Sequence, residues 1–283
     1  MTATDDFADV PERYRGVWRR NQLDIPGLRD TTTWARWLQT ARWHADLRVP
    51  DATRTAEVLR CAEPHPALGL HTGFFGRTEV FWPPPSGERC TWHRHLDVQP
   101  DRGRPDTGWM AFERDAGIVV ETGLNGDFRE EWERIPHSTG RSMVLAELVP
   151  SATGAAGPIA PCGTRWLLSG EYLMRVRPRQ TGWLAAAGTP LMWPEGTAPG
   201  DTLAVVLSRH PHEAAALLDF EISYGSLRDG RWLIEHSTRP ALEGRSEAFA
   251  AHRIDTHTAE ITGSGNTGAR WQLLEWDAPD SLR

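Results

Sequence analysis

The sequence predicts a mainly β protein built from two similar antiparallel β-barrels in tandem, with few short helices. Short alternating segments such as GIVVETG, DFEISYG and RWLIEHS recur between turn-forming residues, at a spacing of about 8 to 12 residues that is typical of antiparallel barrels and sandwiches. Asn125-Gly126 and Asp229-Gly230 are pairs that suit two-residue hairpins, because such turns need positive φ. Helical patterns are limited to 51–59 and 211–218.

Two parts of the chain resemble each other, which predicts a duplication. The segment 37–50 matches the segment 166–178 in its Trp-Leu pair, its Arg-Val pair and its closing Pro. Further along, LDVQP around Asp97 matches LDFEIS around Asp219. Because the matches follow the same order, we expect two copies of one β-rich unit.

The predicted copies are separated by a stretch that is typical of a linker. With 283 residues, the chain is long enough for two domains of about 140 residues each. Residues 150–162 are small, proline-bearing and nearly uncharged, as linkers are. We therefore expect an N-terminal barrel at 11–149 and a C-terminal barrel at 163–283.

Composition and charge exclude several classes of function. All 31 basic residues are arginine, so Schiff-base, pyridoxal-phosphate and P-loop chemistry have no lysine to use. The net charge of −7 is spread over both halves without a basic stripe, which argues against nucleic-acid and acidic-membrane partners. The three cysteines form no CxxC pair, and no cofactor motif is present.

The expected compartment and source also follow from composition. The N-terminus lacks the basic and then apolar order of a signal peptide, and no apolar run is long enough to cross a membrane, so we expect a cytoplasmic protein. The absence of lysine, with frequent alanine and tryptophan, favours a bacterial source. We expect the protein to need no cofactor.

The chain has 14 tryptophans, far more than a protein of this length usually has. Small barrels need large side chains to fill their interiors, and indoles also form the walls of ligand cavities. The two interpretations are compatible. Candidate wall residues are Trp37, Trp92 and Trp109.

The segment 90–100, CTWHRHLDVQP, places His93, His95, Asp97 and Gln99 at every second position. On a strand all four side chains would point to one face. Three interpretations stay open: a solvent-facing or structural row, a polar acid/base or ligand site, and a metal site with His93 and His95 as ligands. GERCTWHRH fits the start of a cupin pattern, but Gln99 stands where cupins place a glutamate.

Two further groups of charged residues are candidates. Asp46 and Arg48 lie two apart on one predicted strand, where they either pair with each other or hold a polar ligand. Glu121 and the run REEWER at 129–134 supply carboxyl groups, which transfer protons only if burial raises their pKa and are otherwise solvated surface. Arg94 interrupts the apolar face of the histidine segment.

Several segments resemble a poorly characterised family related to the fungal Hri1 proteins: YRGVWRR, DTTTWARWLQT, DLRVP, the Trp-His-Arg of CTWHRHLDVQP, and DTGWMAFE. The similarity covers most of the N-terminal half and, through DFEISYG and WLIEHST, part of the C-terminal half. It implies two lipocalin-like barrels in one chain and assigns no catalytic residues. Tandem lipocalin-like proteins include cofactor-independent enzymes of natural-product pathways as well as carriers, an analogy of fold only.

The leading functional prediction is a small-molecule-binding tandem barrel. It would act as a cofactor-independent biosynthetic isomerase, cyclase, hydratase or lyase on an apolar or aromatic compound, by acid/base catalysis. Candidate catalytic residues are His93, His95, Asp97 and Glu121, and candidate ligand-binding residues are Asp46, Arg48, Gln99, Arg94, Trp37, Trp92 and Trp109. The alternatives are a non-catalytic interaction or carrier protein and a metalloenzyme using His93 and His95.

Overall fold

The computed structural model describes residues 7–61, 65–83, 87–113, 115–148, 163–179, 193–263 and 269–282. Within these ranges the chain forms two antiparallel sheets, and each closes on itself into an eight-stranded barrel. The predicted fold class is confirmed. No helix in the described ranges has the length and apolar character that crossing a membrane requires.

The first barrel runs as a simple meander in which sequence neighbours are also neighbours in space. Its strands are β1 (Gly16–Ile25), β2 (Leu28–Asp30), β3 (Trp34–Gln39), β4 (Trp43–Val49), β5 (Thr72–Phe81), β6 (Glu88–Asp97), β7 (Asp106–Phe112), β8 (Ile118–Gly123) and β9 (Arg129–Arg134). Pairing of β9 with β1 closes the barrel. Strand β2 extends β1 as a hairpin and lies outside the closed circuit.

The second barrel repeats this meander. Its strands are β10 (Ser142–Glu147), β11 (Arg165–Ser169), β12 (Tyr172–Arg177), β13 (Glu221–Arg228), β14 (Arg231–Ser237), β15 (Ser246–Arg253), β16 (Thr258–Gly263), β17 (Ala269–Asp277) and β18 (Ser281–Leu282). Pairing of β10 with β17 closes it, and β18 adds to β15 outside the circuit.

The helices in the described residues are short and lie between strands. They are the α-helices α1 (Ala56–Arg60), α2 (Leu203–Arg209) and α3 (Ala214–Leu217), and the 3-10 turns Glu12–Tyr14, Asp51–Thr53, Pro66–Leu70, Pro211–Glu213 and Pro240–Leu242. Thr55 and Thr202 begin α1 and α2, because each hydroxyl accepts a hydrogen bond from a backbone N–H three residues on, as N-cap residues do.

Strand β10 precedes the linker-like stretch in sequence, yet it pairs with β11 and β17. The change from the first sheet to the second therefore falls between Arg134 and Ser142, ahead of the boundary at 149 that the sequence predicts. The physical reason is closure, since the last strand of a barrel needs the first strand as its partner. The predicted linker at 150–162 lies outside the described residues.

Strand order shows which segments of the two barrels correspond. Trp37 on β3 and Trp166 on β11 are equivalent, and both are buried in the interior core of their own barrel. Asp97, however, ends β6, whereas Asp219 precedes β13, the counterpart of β5. The predicted equivalence of Asp97 and Asp219 is therefore wrong, because short acidic matches occur by chance at turns and strand ends.

A better internal match is a pair of bulges at equivalent places. The pairing between β5 and β6 shifts register beside Gly76, and the pairing between β13 and β14 shifts beside Gly225. At both positions a Cβ atom would lie within 2 Å of a backbone oxygen on the next strand. Only glycine allows the strands to approach this closely, which explains the shared aromatic-Gly pair, Phe75-Gly76 and Tyr224-Gly225.

Three apolar clusters follow from the alternation of side chains along the strands. One fills the first barrel around Trp18, Trp37 and Trp132, and a second fills the second barrel around Trp166 and Trp232. The third contains outward-facing residues of both barrels and so joins them. Tryptophans thus fill the interiors of both barrels, as the first of the two interpretations of their number predicts.

Candidate functional site

A cavity of about 400 Å³ opens into the first barrel, a size within the range of small-molecule sites. Four aromatic side chains form its apolar walls: Trp37, Phe74, Trp92 and Trp132. Six charged side chains lie among or beside them: Asp46, Arg48, Arg94, Asp106, Glu121 and Glu130. The entrance is lined by apolar residues of two hairpins together with two arginines: Leu23, Ile25, Leu124, Phe128, Arg102 and Arg104.

The polar residues on β4 reach the cavity because the outer face of this strand is apolar. Leu47 and Val49 pack into the cluster between the barrels, so Asp46 and Arg48 point to the interior on the alternate positions. The carboxyl group of Asp46 is almost fully buried. Burial raises the pKa of this group, and Arg48 opposes the rise.

Arg48 links two of the buried carboxyl groups. Its Nε lies 3.1 Å from Asp46 Oδ1, and its Nη1 lies 2.9 Å from Glu130 Oε1. On the other side Arg20 donates to Glu130 and, at 2.8 Å, to Asp30. Buried charges need such partners, so this network is part of the barrel structure as well as of the cavity wall.

Arg94 is held by a second network at the same wall. Its Nη1 donates to Asp97 Oδ2 at 2.8 Å and its Nη2 to Asp106 Oδ2 at 2.6 Å. The guanidinium carbon lies 3.6 Å from the centre of the Phe74 ring, which is a close cation–π contact. All three nitrogens of this guanidinium are thus engaged, so Arg94 shapes the wall.

Glu121 differs from the other buried carboxyl groups because it has no hydrogen-bond partner among the described residues. It is 6% exposed, it lines the cavity, and it comes from β8 between the neighbouring strands β7 and β9. Burial raises its pKa well above 4.5, and the nearby carboxylates of Glu130, Asp106 and Asp46 add to the rise, against Arg48. This carboxyl group therefore keeps its proton to a higher pH than an exposed glutamate does.

Gly108 on β7 makes room for this side chain. A Cβ atom at Gly108 would lie 2.8 Å from Glu121 Cγ and 2.9 Å from Glu121 Oε1. The glycine thus leaves a gap in the interior layer of β7, and Glu121 occupies it. Any larger residue there would push the carboxyl group out of its present position.

The histidine row is broken by the bulge in β6. Phe75 pairs with Leu96 and Gly76 pairs with Arg94, so His95 is an extra residue without a partner in register. A bulge shifts the alternation of side chains by one position. The prediction that His93, His95, Asp97 and Gln99 share one face is therefore wrong, since a regular strand was assumed.

The two histidines lie on the outer side of the barrel. His93 Nε2 is 3.1 Å from Glu79 Oε2, and its ring stacks on Phe7. His95 packs edge-on against Trp43 and Phe75, which belong to the cluster between the barrels. Neither histidine lines the first-barrel cavity. Both line a second cavity of about 920 Å³ beside β6, together with Asp97 and Gln99.

Of the remaining residues predicted from the sequence, some line the cavity and two, Gln99 and Trp109, do not. Gln99 is a structural link, because its side chain donates to the carbonyls of Gly69 and His71 and accepts from Leu203 N at 2.7 Å. Trp109 alternates with the buried Met110 and faces away from the interior. The residues that the fold brings together at the cavity are Glu121, Asp46, Arg48, Arg94, Trp37 and Trp92.

Three wall residues were not singled out from the sequence: Phe74, Asp106 and Trp132. Trp132 had a usable signal, since in REEWER the positions 130 and 132 are buried while 131 and 133 are partly exposed. Phe74 and Asp106 had none, because only the register of β5, β6 and β7 shows which side of the sheet they face. Within the described ranges, no group of three or more His, Cys, Asp or Glu side chains is arranged to hold a metal ion.

Comparison with known proteins identifies the fold and no activity. No family model matches the chain, and no curated protein matches it. Its structure is similar to the crystal structure of the uncharacterized protein YLR301w from Saccharomyces cerevisiae, with a TM-score of 0.50, 12% identity, and coverage of 93% of this chain and 99% of that chain. At this identity the likeness shows a shared tandem-barrel fold alone.

Proposed function

We propose that the first barrel binds a small molecule with an apolar or aromatic body. The observation that carries the proposal is Glu121, a buried carboxyl group that lines a cavity of about 400 Å³ and has no hydrogen-bond partner among the described residues. A ligand in the cavity can supply the partner that the protein does not. Carboxyl groups in clefts with a pKa shifted by burial and nearby charges are characteristic of functional sites.

The rest of the cavity supports the same function. Trp37, Trp92, Trp132 and Phe74 offer aromatic walls to an apolar body, while the few polar groups fix orientation, as in small-molecule sites generally. The apolar residues Ile25 and Leu124 at the entrance are 38% and 47% exposed. An exposed apolar rim favours the entry of an apolar guest.

A fluorescent apolar probe tests binding at this place. We expect N-phenylnaphthylamine to bind the protein saturably with one site and to quench tryptophan emission. Gly108→Leu should abolish this binding, because the new side chain would fill the space beside Glu121. Ala111→Leu is the matched control, since Ala111 is exposed on the same strand. Absence of saturable binding, or equal binding by both variants in their folded state, would refute the proposal.

We propose as a second function that the cavity catalyses proton transfer on its ligand, as an isomerase, cyclase, hydratase or lyase without a cofactor. The observation that favours it is the position of Glu121 at the cavity wall with its pKa raised by burial and by Glu130, Asp106 and Asp46, since a raised pKa brings a carboxyl group closer to the range of a general acid. Incubation with a bacterial metabolite extract, followed by mass spectrometry, tests it. Compounds should change with the wild type and persist with Glu121→Gln; identical profiles would refute it.

We also propose that the chain belongs to the Hri1-related family and acts in the cytoplasm. The resemblance of its N-terminal segments and the tandem-barrel fold shared with YLR301w support the family. A family profile built from genomic sequences tests it. The pattern of Gly76, Gly108 and Glu121 should recur in members with equivalent strands, and its absence from them would contradict the assignment.

A further inference from the structure

We propose that the ligand of the first barrel is an organic cation, an ammonium group on an apolar or aromatic body, bound with its charge between Glu121 and the indoles of Trp37 and Trp92. The inference rests on the proposed binding function and names its ligand class. Charge balance in the cavity, the carboxyl group without a hydrogen-bond partner and the indoles without a guanidinium over them each support it.

The interior of the barrel has more carboxyl groups than arginines. Around the cavity, Arg20 and Arg48 bond to Asp30, Asp46 and Glu130, and Arg94 bonds to Asp97 and Asp106. Three guanidinium groups therefore face five carboxylates before Glu121 is counted. At the entrance Arg102 and Arg104 line the same cavity, and Asp127 lies 3.7 Å from Arg104. Among the residues that line the cavity, four arginines face five acids, so the acids exceed the arginines by one: Arg48, Arg94, Arg102 and Arg104 against Asp46, Asp106, Glu121, Asp127 and Glu130.

The acids around Glu121 favour a ligand of positive charge. An anion at this carboxyl group would meet Asp46, Asp106 and Glu130, and like charges repel strongly in a low-dielectric space. A neutral ligand would leave the excess as it is. A cation supplies the missing positive charge and gives the one partnerless acid, Glu121, an ion-pair partner, which is what a buried carboxylate requires.

The aromatic walls fit a cation as well. Arg48 already lies over the ring of Trp132 at 5.4 Å, and Arg94 lies over Phe74. In the part of the chain that the structure describes, no guanidinium lies over Trp37 or Trp92. The ring centres of this pair are 5.8 Å apart at 82°, so two indoles meet as a corner at the cavity wall. Tryptophan faces are the strongest aromatic partners of ammonium groups.

Ion-pair formation would be coupled to proton release. The charged or titratable groups that face Glu121 are Asp46 and Arg48 on β4, Cys90 on β6, Asp106 on β7 and Glu130 on β9. Burial and the nearby carboxylates raise the pKa of Glu121, against Arg48, whereas a bound ammonium would favour the ionised carboxylate and so the release of its proton to solvent. Affinity for the cation should therefore rise with pH until Glu121 ionises by itself.

The test uses three ligands of one shape and different charge: phenylbutylamine, phenylbutanol and phenylbutyrate. They are titrated into the wild-type protein by calorimetry, in buffers of different ionisation enthalpy between pH 5.5 and 8. We expect the amine to bind at least about tenfold more tightly than the alcohol and the carboxylate. Its binding should release protons, and its affinity should rise by up to about tenfold per pH unit.

Two variants complete the test. Glu121→Gln keeps the shape of the side chain and should weaken amine binding by about tenfold or more, abolish the proton release and flatten the pH profile. Glu131→Gln, on the outer face of β9, is the control and should bind as the wild type does. Preference for the alcohol or the carboxylate, or amine binding without proton release, would overturn the cation inference and leave the binding function standing. If none of the three ligands binds and the fluorescent probe also fails, the binding function itself is overturned.

Discussion

Glu121→Gln should stabilise the folded protein, and the gain should grow with pH. Glu121 is 6% exposed, lacks a hydrogen-bond partner among the described residues, and has a pKa raised well above 4.5 by burial and by Glu130, Asp106 and Asp46. Because the folded state holds this proton more tightly than the unfolded chain, wild-type stability falls as pH rises from 4.5 to the folded-state pKa. Glutamine has the same shape and no proton to lose, so it avoids this loss.

The size of the effect follows from proton linkage. The difference in the free energy of unfolding between Glu121→Gln and the wild type should be small below pH 4.5, where both side chains are neutral. Above that it should widen by up to about 1.4 kcal/mol per pH unit. The difference in unfolding free energy should stop growing at the folded-state pKa of Glu121. The pH at which the difference becomes constant would therefore measure this pKa.

Urea unfolding followed by tryptophan fluorescence, at half-unit steps from pH 4 to 8, measures this difference. Titrating groups away from the cavity contribute equally to both proteins, so subtraction removes their contribution. Glu131→Gln on the outer face of β9 is the matched control, and it should change stability by less than about 0.5 kcal/mol at every pH. A difference that does not change with pH, or a glutamine variant that is less stable at pH 7, would show that Glu121 is not a buried, partnerless acid.

Three further changes test the framework around the cavity. Gly76→Ala should lower the unfolding free energy by more than about 2 kcal/mol, because the new Cβ would lie 1.7 Å from a backbone oxygen. Gly117→Ala is the control and should cost far less, since its Cβ would have ordinary contacts at 3.4 Å. Equal changes in melting temperature for the two variants would contradict the bulge. Glu275→Ala should lower the unfolding free energy by about 2 kcal/mol. It should also speed hydrogen exchange at Ala41, whose N–H donates to this carboxylate across the barrel junction at 2.9 Å. Unchanged exchange would refute that contact. Arg20→Met should lower the unfolding free energy by about 3 kcal/mol or more, because it removes one partner of the buried Glu130. A loss below about 0.5 kcal/mol in urea unfolding would refute the contribution of this ion pair.

Much of the architecture could be predicted from the sequence because it depends on local patterns. Alternating segments with turn residues between them indicate strands at any position in the fold, and the two described hairpin turns with Asn125-Gly126 and Asp229-Gly230 lie between paired strands. The equivalence of Trp37 and Trp166 depends on similar segments and is confirmed by strand order. For Asp46, Arg48 and Glu121 the sequence left two alternatives, a place in a ligand site or a place in ion pairs and on the solvated surface. The sequence could not decide between them, because polar residues alternate with apolar ones in the same way on an interior face and on a solvated face.

The sequence by itself determined the strand content, the tandem arrangement and the types of residue available to the cavity, because these depend on composition and on periodicity within a few residues. Tertiary structure alone decided which faces are interior. One extra residue, His95, shifts the alternation of side chains on β6, and closure of β1 on β9 brings Arg20 to Glu130 across 110 positions. Register and closure join residues that are distant in the chain, and no local pattern contains them.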